Sequence, residues 1–316
     1  MRVVVVGAGI CGLVAARRLV DSGADVVVVD KGRSVGGRLA TRRIGEATLD
    51  HGAQFFTVRT PAFGRRVDDW TDRGLVSIWS HGFGSNDGHP RYAAVAGMNS
   101  LAKDLAHGLD VRCSTMAFAV RPAPPDRTGA AWDVVIDDGT VHSADAVIVT
   151  TPLPQAFALL ADSGLRLDES LMRTEYDRTI ALLATLDGAP AVPGPGGLQG
   201  PSPDVSFVTD NAAKGVSAAP AITVHASAAW SEAHWDDDHD RLRVALTELA
   251  APWLGDALVV EAQVKKWRFA TPRSPWPDPC WVADGGTVVL AGDAFDGPRV
   301  EAAHNSGLAA AHALTD

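Results

Sequence analysis

Two glycine-rich segments at opposite ends of the chain constrain its fold more than anything between them. VVVVGAGICGL (3–13) opens it and LAGDAFDGPRVEAAHNSG (290–307) closes it, which points to one ligand gripped by both termini. The opening segment reads as a strand, a turn and a helix start. Four valines are followed by Gly7, Gly9 and Gly12 in G-x-G-x-x-G spacing, then by the amphipathic LVAARRLVDSG. Glycines so spaced let bare backbone approach a pyrophosphate at a helix N-terminus, but they also close ordinary strand-to-helix turns. Context decides between the two. A second valine strand, ADVVVVD (24–30), ends in Asp30, at the place about 20 residues past the glycines where a dinucleotide fold sets an acid for ribose hydroxyls.

Composition narrows the partners. With 316 residues, 46% of them hydrophobic and 21% charged, the chain is globular and long enough for two domains. A net charge of −10 argues against nucleic acid or an anionic membrane surface, both of which need a basic face. Small molecules are the expected partners. Cys11, Cys113 and Cys280 are far apart and lack metal-ligand spacing, as in a chain kept in a reducing cytoplasm. The apolar start carries the glycine motif rather than a secretory pattern, and no apolar run reaches the roughly 18 residues of a membrane span.

The expected fold class is α/β, with domains assembled from discontinuous segments. Residues 1–56, 98–152 and 284–316 read as a Rossmann-like dinucleotide-binding domain containing a helix at MNSLAKDLA, a strand near Val111, a hairpin within WDVVIDDGTVHSA and a buried strand ending at Pro152. Residues 57–97 and 153–283 hold eight of the nine tryptophans. They read as a smaller α+β substrate domain with a mixed or antiparallel sheet. The stretch APAVPGPGGLQGPSP (189–203) reads there as a surface loop.

DKGRSVGGRLATRR (30–43), LDHGAQFFTVR (49–59), PRYAAVAGMNSLAKDLA (90–106), KKWRFATP (265–272) and LAGDAFDGPRVEAAHNSGLAAAHAL (290–314) carry a resemblance in the right order across nearly the whole chain. Together they resemble the renalase-type branch of the flavin-dependent amine oxidase superfamily. The resemblance implies FAD as cofactor. Gly7, Gly9 and Gly12 would line its pyrophosphate, Asp30 its adenosine ribose, and Lys31, Arg33, Gly37 and Arg38 the phosphate side; Gly36, Gly37 and Arg38 match the superfamily's G-G-R. Gly32 departs from the pattern, since many amine oxidases carry an arginine there. Gly52, Ala53 and Gln54 match a loop beside the isoalloxazine, Ala117 the adenine contact, and Thr150 a strand end near the cofactor. Gly292, Asp293, Val300, Glu301, Ala302 and Ser306 match the closing G-D segment and its helix. That helix would aim its positive N-terminal end at the flavin pyrimidine edge.

Catalytic side chains are harder to read, because a flavin itself supplies the electron sink. His225, Trp267 and Arg268 are the candidates, with Trp230, Tyr92 and Asn305 behind them. Each also reads blandly, as a packed strand residue, a core ring or an ion-pair partner. WSEAHWDDDHDR (230–241) resembles a helix start rich in acids more than a metal site, so no metal is expected. Three readings stay open. One is a renalase-like oxidase that takes a hydride from a 2- or 6-dihydro isomer of NAD(P)H, with oxygen as acceptor and hydrogen peroxide as product. The second is an oxidase or desaturase of amines or other small molecules. The third is a non-catalytic flavin redox sensor.

Overall fold

The computed structural model describes residues 1–84, 87–125 and 129–315. The elements begin with β1 (Arg2–Val6), α1 (Ile10–Asp21), β2 (Asp25–Val29), β3 (Thr41–Ile44), β4 (Ala47–Asp50), α2 (Pro61–Asp72), β5 (Val76–Ser80), β6 (Arg91–Ala94) and α3 (Asn99–Ala106). Next come β7 (Asp110–Arg112), β8 (Ala117–Pro122), β9 (Trp132–Ile136), β10 (Val141–Ala144), β11 (Ala146–Val149), α4 (Leu153–Leu159) and α5 (Glu169–Met172). The chain continues through β12 (Tyr176–Leu186), β13 (Gly197–Ser202), β14 (Val205–Asp210), β15 (Ala221–Ala226), α6 (Ala228–Ala233) and α7 (His239–Leu254). It closes with β16 (Val259–Pro272), β17 (Trp281–Val282), β18 (Val288–Leu290) and α8 (Val300–His312).

Two compact units result. The first comprises Met1–Gly37, Leu101–Glu175 and Pro272–Asp316. Its sheet runs β17-β18-β11-β1-β2-β7, parallel except where β17 pairs antiparallel with β18. Val3 to Val6 of β1 are all buried, the pattern of a central parallel strand covered on both faces. Helix α1 buries Leu13, Val14, Ala15, Ala16 and Leu19 and packs on α8. The approach needs glycine: a Cβ at Gly307 would overlap the Cys11 carbonyl oxygen. A three-stranded antiparallel sheet, β10-β9-β8, completes the unit.

The second unit comprises Arg38–Ser100 and Tyr176–Thr271. Its five-stranded sheet runs β13-β14-β15-β12-β16, and the pairs β13–β14, β14–β15 and β12–β15 are antiparallel. Alternation along β12 separates two faces. Ile180, Leu182, Ala184 and Leu186 point to one side, where they join Trp235, Leu242 and Leu246 in the main core. Ala181 and Leu183 point to the other, against Ile44, Ala47 and Leu49 of the β3–β4 hairpin.

That hairpin explains why the unit boundaries differ from the expected ones. Residues 38–56 pack with the second unit through its apolar face, while 153–175 and 272–283 pack with the first. The second unit is accordingly as long as the first. Composition had marked the segment edges, but packing of the hairpin on the sheet decides membership. The expected loop at 189–203 is also corrected: Gly197–Ser202 forms β13. The sheet-edge position of β13 tolerates Pro201, and the register shift between Gln199 and Ser202 accommodates Gly200 at φ 58°.

Candidate active site

In the first unit, the turn between β1 and α1 is built for backbone. Gly7 adopts φ 112°, and its N–H donates to Val29 O at 2.8 Å. A Cβ at Gly12 would overlap the Gly7 carbonyl oxygen. Those two glycines are explained by the fold itself. Gly9 is not: its φ is −74°, and a Cβ there would meet nothing within 4 Å. Gly9 also caps α1 without a side-chain hydrogen bond, and the first turn holds no acid. Open space over a helix start that lacks a side-chain cap suits a phosphate, so the turn fits the FAD pyrophosphate.

Asp30 is fixed at the end of β2. Its Oδ2 accepts from the Ala8 N–H and its Oδ1 from the Gly32 N–H, both at 2.6 Å. Each oxygen keeps lone-pair capacity for a ribose hydroxyl. A Cβ at Gly32 would come within 2.8 Å of Asp30 Oδ1, so the departure at Gly32 leaves room for the acid to turn onto the loop. Lys31 and Arg33 are exposed, and Gly37 takes φ 52° beside Gly9. Thr150 Oγ1 donates to Val6 O and Gly7 O at 3.1 and 3.2 Å, tying the end of β11 to the turn. Ala117 opens β8.

The closing segment belongs to the same unit. Gly292 takes φ 144°, and its N–H donates to Ser306 Oγ at 2.9 Å, which pins the G-D turn, including Asp293, to α8. Ser306 and Ala302 are fully buried. Helix α8 begins at Val300, and its N-cap Arg299 makes no side-chain capping bond. Glu301 in that first turn is 3% exposed, and an acid there draws on the same helix field expected to favour a reduced flavin.

In the second unit, the residues converge on the segment after β4. The His51 carbonyl accepts from His225 Nε2–H at 3.1 Å and from Trp267 Nε1–H at 2.8 Å. The His51 and Trp267 rings stack with centroids 5.4 Å apart. Two sequence candidates thus meet at a residue that had not been singled out. Arg268 does not join them. It lies one residue on along β16 and so on the opposite face, with its guanidinium over the Trp235 ring. Trp230 stacks on His234 beside that main core, and Tyr92 stacks on Phe56. Asn305 lies on α8 in the first unit, where its Oδ1 accepts from His304 Nδ1–H at 3.1 Å.

Burial, reinforced by the charge of Lys265, pushes His51 down to about 4, and burial pushes His225 down to about 4. Both imidazoles are neutral at ordinary pH. Asp50, just before His51, forms a fully buried ion pair with Lys214 at 2.8 Å. Its Oδ1 also accepts from Thr41 Oγ1 and the Met98 N–H, at 2.5 and 2.8 Å. Gln54 spans the same segment: its Nε2 donates to Asp50 O, and its Oε1 accepts from Thr209 Oγ1. Gly52 has no room for a side chain, because a Cβ would overlap Arg38 O, which also accepts the Ala53 N–H. Arg38 is turned onto Phe269 O and Ala270 O at 3.1 and 3.3 Å.

The hub formed by Asp50, His51, Lys214, Asn211 and Thr223 escaped sequence reasoning. Lys214 lies in NAAKGVS (211–217) without periodicity or spacing to mark it. The acidic run before α7 is a helix cap, as expected: Asp238 accepts from the Asp240 and Arg241 N–H groups.

A parallel sheet with a glycine turn over a helix start, closed by a second pinned glycine turn, is the framework of a dinucleotide-binding protein. Residues 5–70 match the NAD(P)-binding Rossmann-like domain, and residues 74–315 match the flavin containing amine oxidoreductase family. The chain belongs to that flavin-containing family. It is 26% identical over 198 residues to renalase from Mus musculus, covering 57% of each protein. It is 47% identical over 58 residues to hydroxyneurosporene desaturase from Rubrivivax gelatinosus, covering 18% of this chain and 11% of that protein. The chain therefore matches less than two thirds of the length of either relative. An oxidoreductase from Methanosarcina mazei superposes with TM-score 0.66 at 14% identity, covering 98% of this chain and 99% of the other. A putrescine oxidase redesigned in its cofactor binding superposes with TM-score 0.72 at 16% identity, covering 100% and 99%. Both show the shared fold. Among the described residues, no helix is long and apolar enough to cross a membrane.

Proposed function

We propose that this protein is an oxidase of dihydropyridines, with a 2- or 6-dihydro isomer of NAD(P)H as substrate and oxygen as acceptor. In balance, the dihydropyridine, oxygen and one proton give the pyridinium and hydrogen peroxide. FAD, when bound, would supply the hydride-accepting and oxygen-reactive chemistry. The residues assigned to its dinucleotide portion are Gly7, Gly9, Gly12, Asp30, Lys31, Arg33, Gly37, Ala117 and Thr150. Gly292, Asp293, Val300, Glu301, Ala302 and Ser306 are assigned to it from the closing segment of the same unit, while Arg38, Gly52, Ala53 and Gln54 carry the superfamily match within the second unit.

The observation carrying this reading is the committed state of Asp50. A carboxylate would anchor a protonated amine, but Asp50, the carboxylate that acts on His51, is already held by Lys214. His51 and His225 are neutral, and Trp267 offers a flat apolar ring held in place by its N–H. Such a surface supports a planar substrate that donates hydride without losing a proton to a base. Similarity to renalase supports the same direction.

The second reading, oxidation of an amine, draws on the family and on the aromatic cluster of Phe55, Trp79, Phe83 and Phe207. Those rings meet at interplanar angles of 38° to 89°, so they make no pair of facing rings to enclose an amine. Anaerobic stopped-flow absorbance separates the readings. Bleaching of the oxidised-flavin band by a dihydro isomer and not by amines, with peroxide on admission of air, is expected. Bleaching by amines alone would select the second reading, and no bleaching by either would leave the redox-sensor reading.

A further inference from the structure

The face of the second sheet that carries His225 and Trp267 is also approached by cationic side chains. In the β3–β4 hairpin Arg42 pairs with Leu49 and Ile44 with Ala47. Paired residues share a face, and Ile44, Ala47 and Leu49 pack on Ala181, Leu183 and Ala221 of the sheet. Arg42 is therefore directed toward the sheet, and its Nε is buried with no hydrogen-bond partner among the described residues. His51 Nδ1 is in the same condition, on a residue 8% exposed. Lys265 precedes Trp267 by two residues on β16 and shares its face.

These groups act on one another. Lys265 and Arg42 both press positive charge on His51, and Asp50 opposes them. Asp50 is in turn held by Lys214, Thr41 and the Met98 N–H. A buried donor left unpaired is costly, and a charged one more so. A ligand oxyanion would relieve that cost.

We propose that Arg42, Lys265 and His51 form a subsite for an oxyanion carried by the substrate, a phosphate or a carboxylate. The inference rests on the dihydropyridine reading, for it supplies the anionic end that an isomeric dihydronicotinamide nucleotide would present. It makes Arg42 a specificity residue: neutral dihydronicotinamides lacking phosphate would be handled without it.

The test titrates the FAD-loaded protein with inorganic phosphate and, separately, with nicotinate, following the flavin difference spectrum and the thermal midpoint. No turnover is needed, so failure here is distinguishable from failure of the dihydropyridine reading. Binding of phosphate, weakened about 10- to 100-fold in Arg42→Gln and largely restored in Arg42→Lys, is expected for a phosphate subsite. The same pattern with nicotinate alone would identify a carboxylate as the source. Lys265→Gln should weaken the same anion in a protein whose hairpin is untouched, which keeps the test open should Arg42→Gln fail to fold. Absence of binding by either anion to the wild-type protein would overturn the proposal. So would binding indifferent to both substitutions, or an Arg42→Gln effect confined to FAD affinity.

Discussion

Asp50 Oδ2 and Lys214 Nζ meet at 2.8 Å, 164 residues apart in sequence, with both side chains fully buried. The pair sits at a junction. Asp50 also receives hydrogen bonds from Thr41 and Met98, its carbonyl receives those of Gln54 and Thr223, and its N–H reaches Asn211. The strand end that carries His51 is thereby tied to four other segments of the second unit. Burial lowers the Lys214 pKa and the Asp50 charge opposes that, so the ammonium depends on its partner.

Removing one member of this pair should cost about 3–5 kcal/mol, because the other charge is left buried and uncompensated. Lys214→Met and Asp50→Asn are each expected to lose that much in urea unfolding. The double variant should lose less than the two losses combined. A loss under about 1 kcal/mol for Lys214→Met would show that the buried pair does not anchor the segment.

Acid should destabilise the protein through its neutral histidines. His51 and His225 are held at about 4 when folded, against about 6.5 for an imidazole in water. The unfolded chain therefore binds more protons between those values, and their contribution is complete above about pH 6.5 and declines as pH falls toward 4. Between pH 7 and 5 each should account for about 2 kcal/mol. Urea midpoints measured across that range should fall less steeply in His225→Gln than in wild type; equal slopes would contradict the assignment.

Gly9 and Gly12 should separate ligand from fold. Gly9→Ala puts a methyl into open space, so the apoprotein should lose less than about 1 kcal/mol while FAD binds roughly tenfold or more weakly. Gly12→Ala drives a methyl into the Gly7 carbonyl and should cost the apoprotein about 1–3 kcal/mol. Unfolding of apoprotein and fluorescence titration with FAD read the two effects. Unchanged FAD affinity in Gly9→Ala would remove Gly9 from the cofactor site.

The two faces of β16 predict a contrast between neighbours. Trp267→Phe deletes the N–H held by the His51 carbonyl and should slow anaerobic flavin reduction about tenfold through lost positioning. Arg268→Gln, on the Trp235 side, should stay within about twofold. The reverse ranking in stopped-flow rates would refute the placement.

What could be read from the chain alone was whatever is local or periodic. The valine strands, the glycine turn, Asp30 at a strand end and the start of α8 each depend on neighbours within a few residues, and the family motifs are contiguous strings of the same kind. His225 and Trp267 were legible as strand residues of a second sheet, yet nothing in their spacing said that they share one carbonyl. Arg268 reads with Trp267 as part of one strand-like segment that resembles a family motif, yet alternation along a strand places adjacent residues on opposite faces. The tertiary structure alone decided that the β3–β4 hairpin lies on the second sheet, that 197–202 is an edge strand, and that Asp50 is neutralised by Lys214. Those outcomes depend on which surfaces exclude water together. Burial fixes which charges must pair and which imidazoles stay neutral, and burial is a property of packing between distant segments, whereas turn chemistry and strand periodicity are written residue by residue.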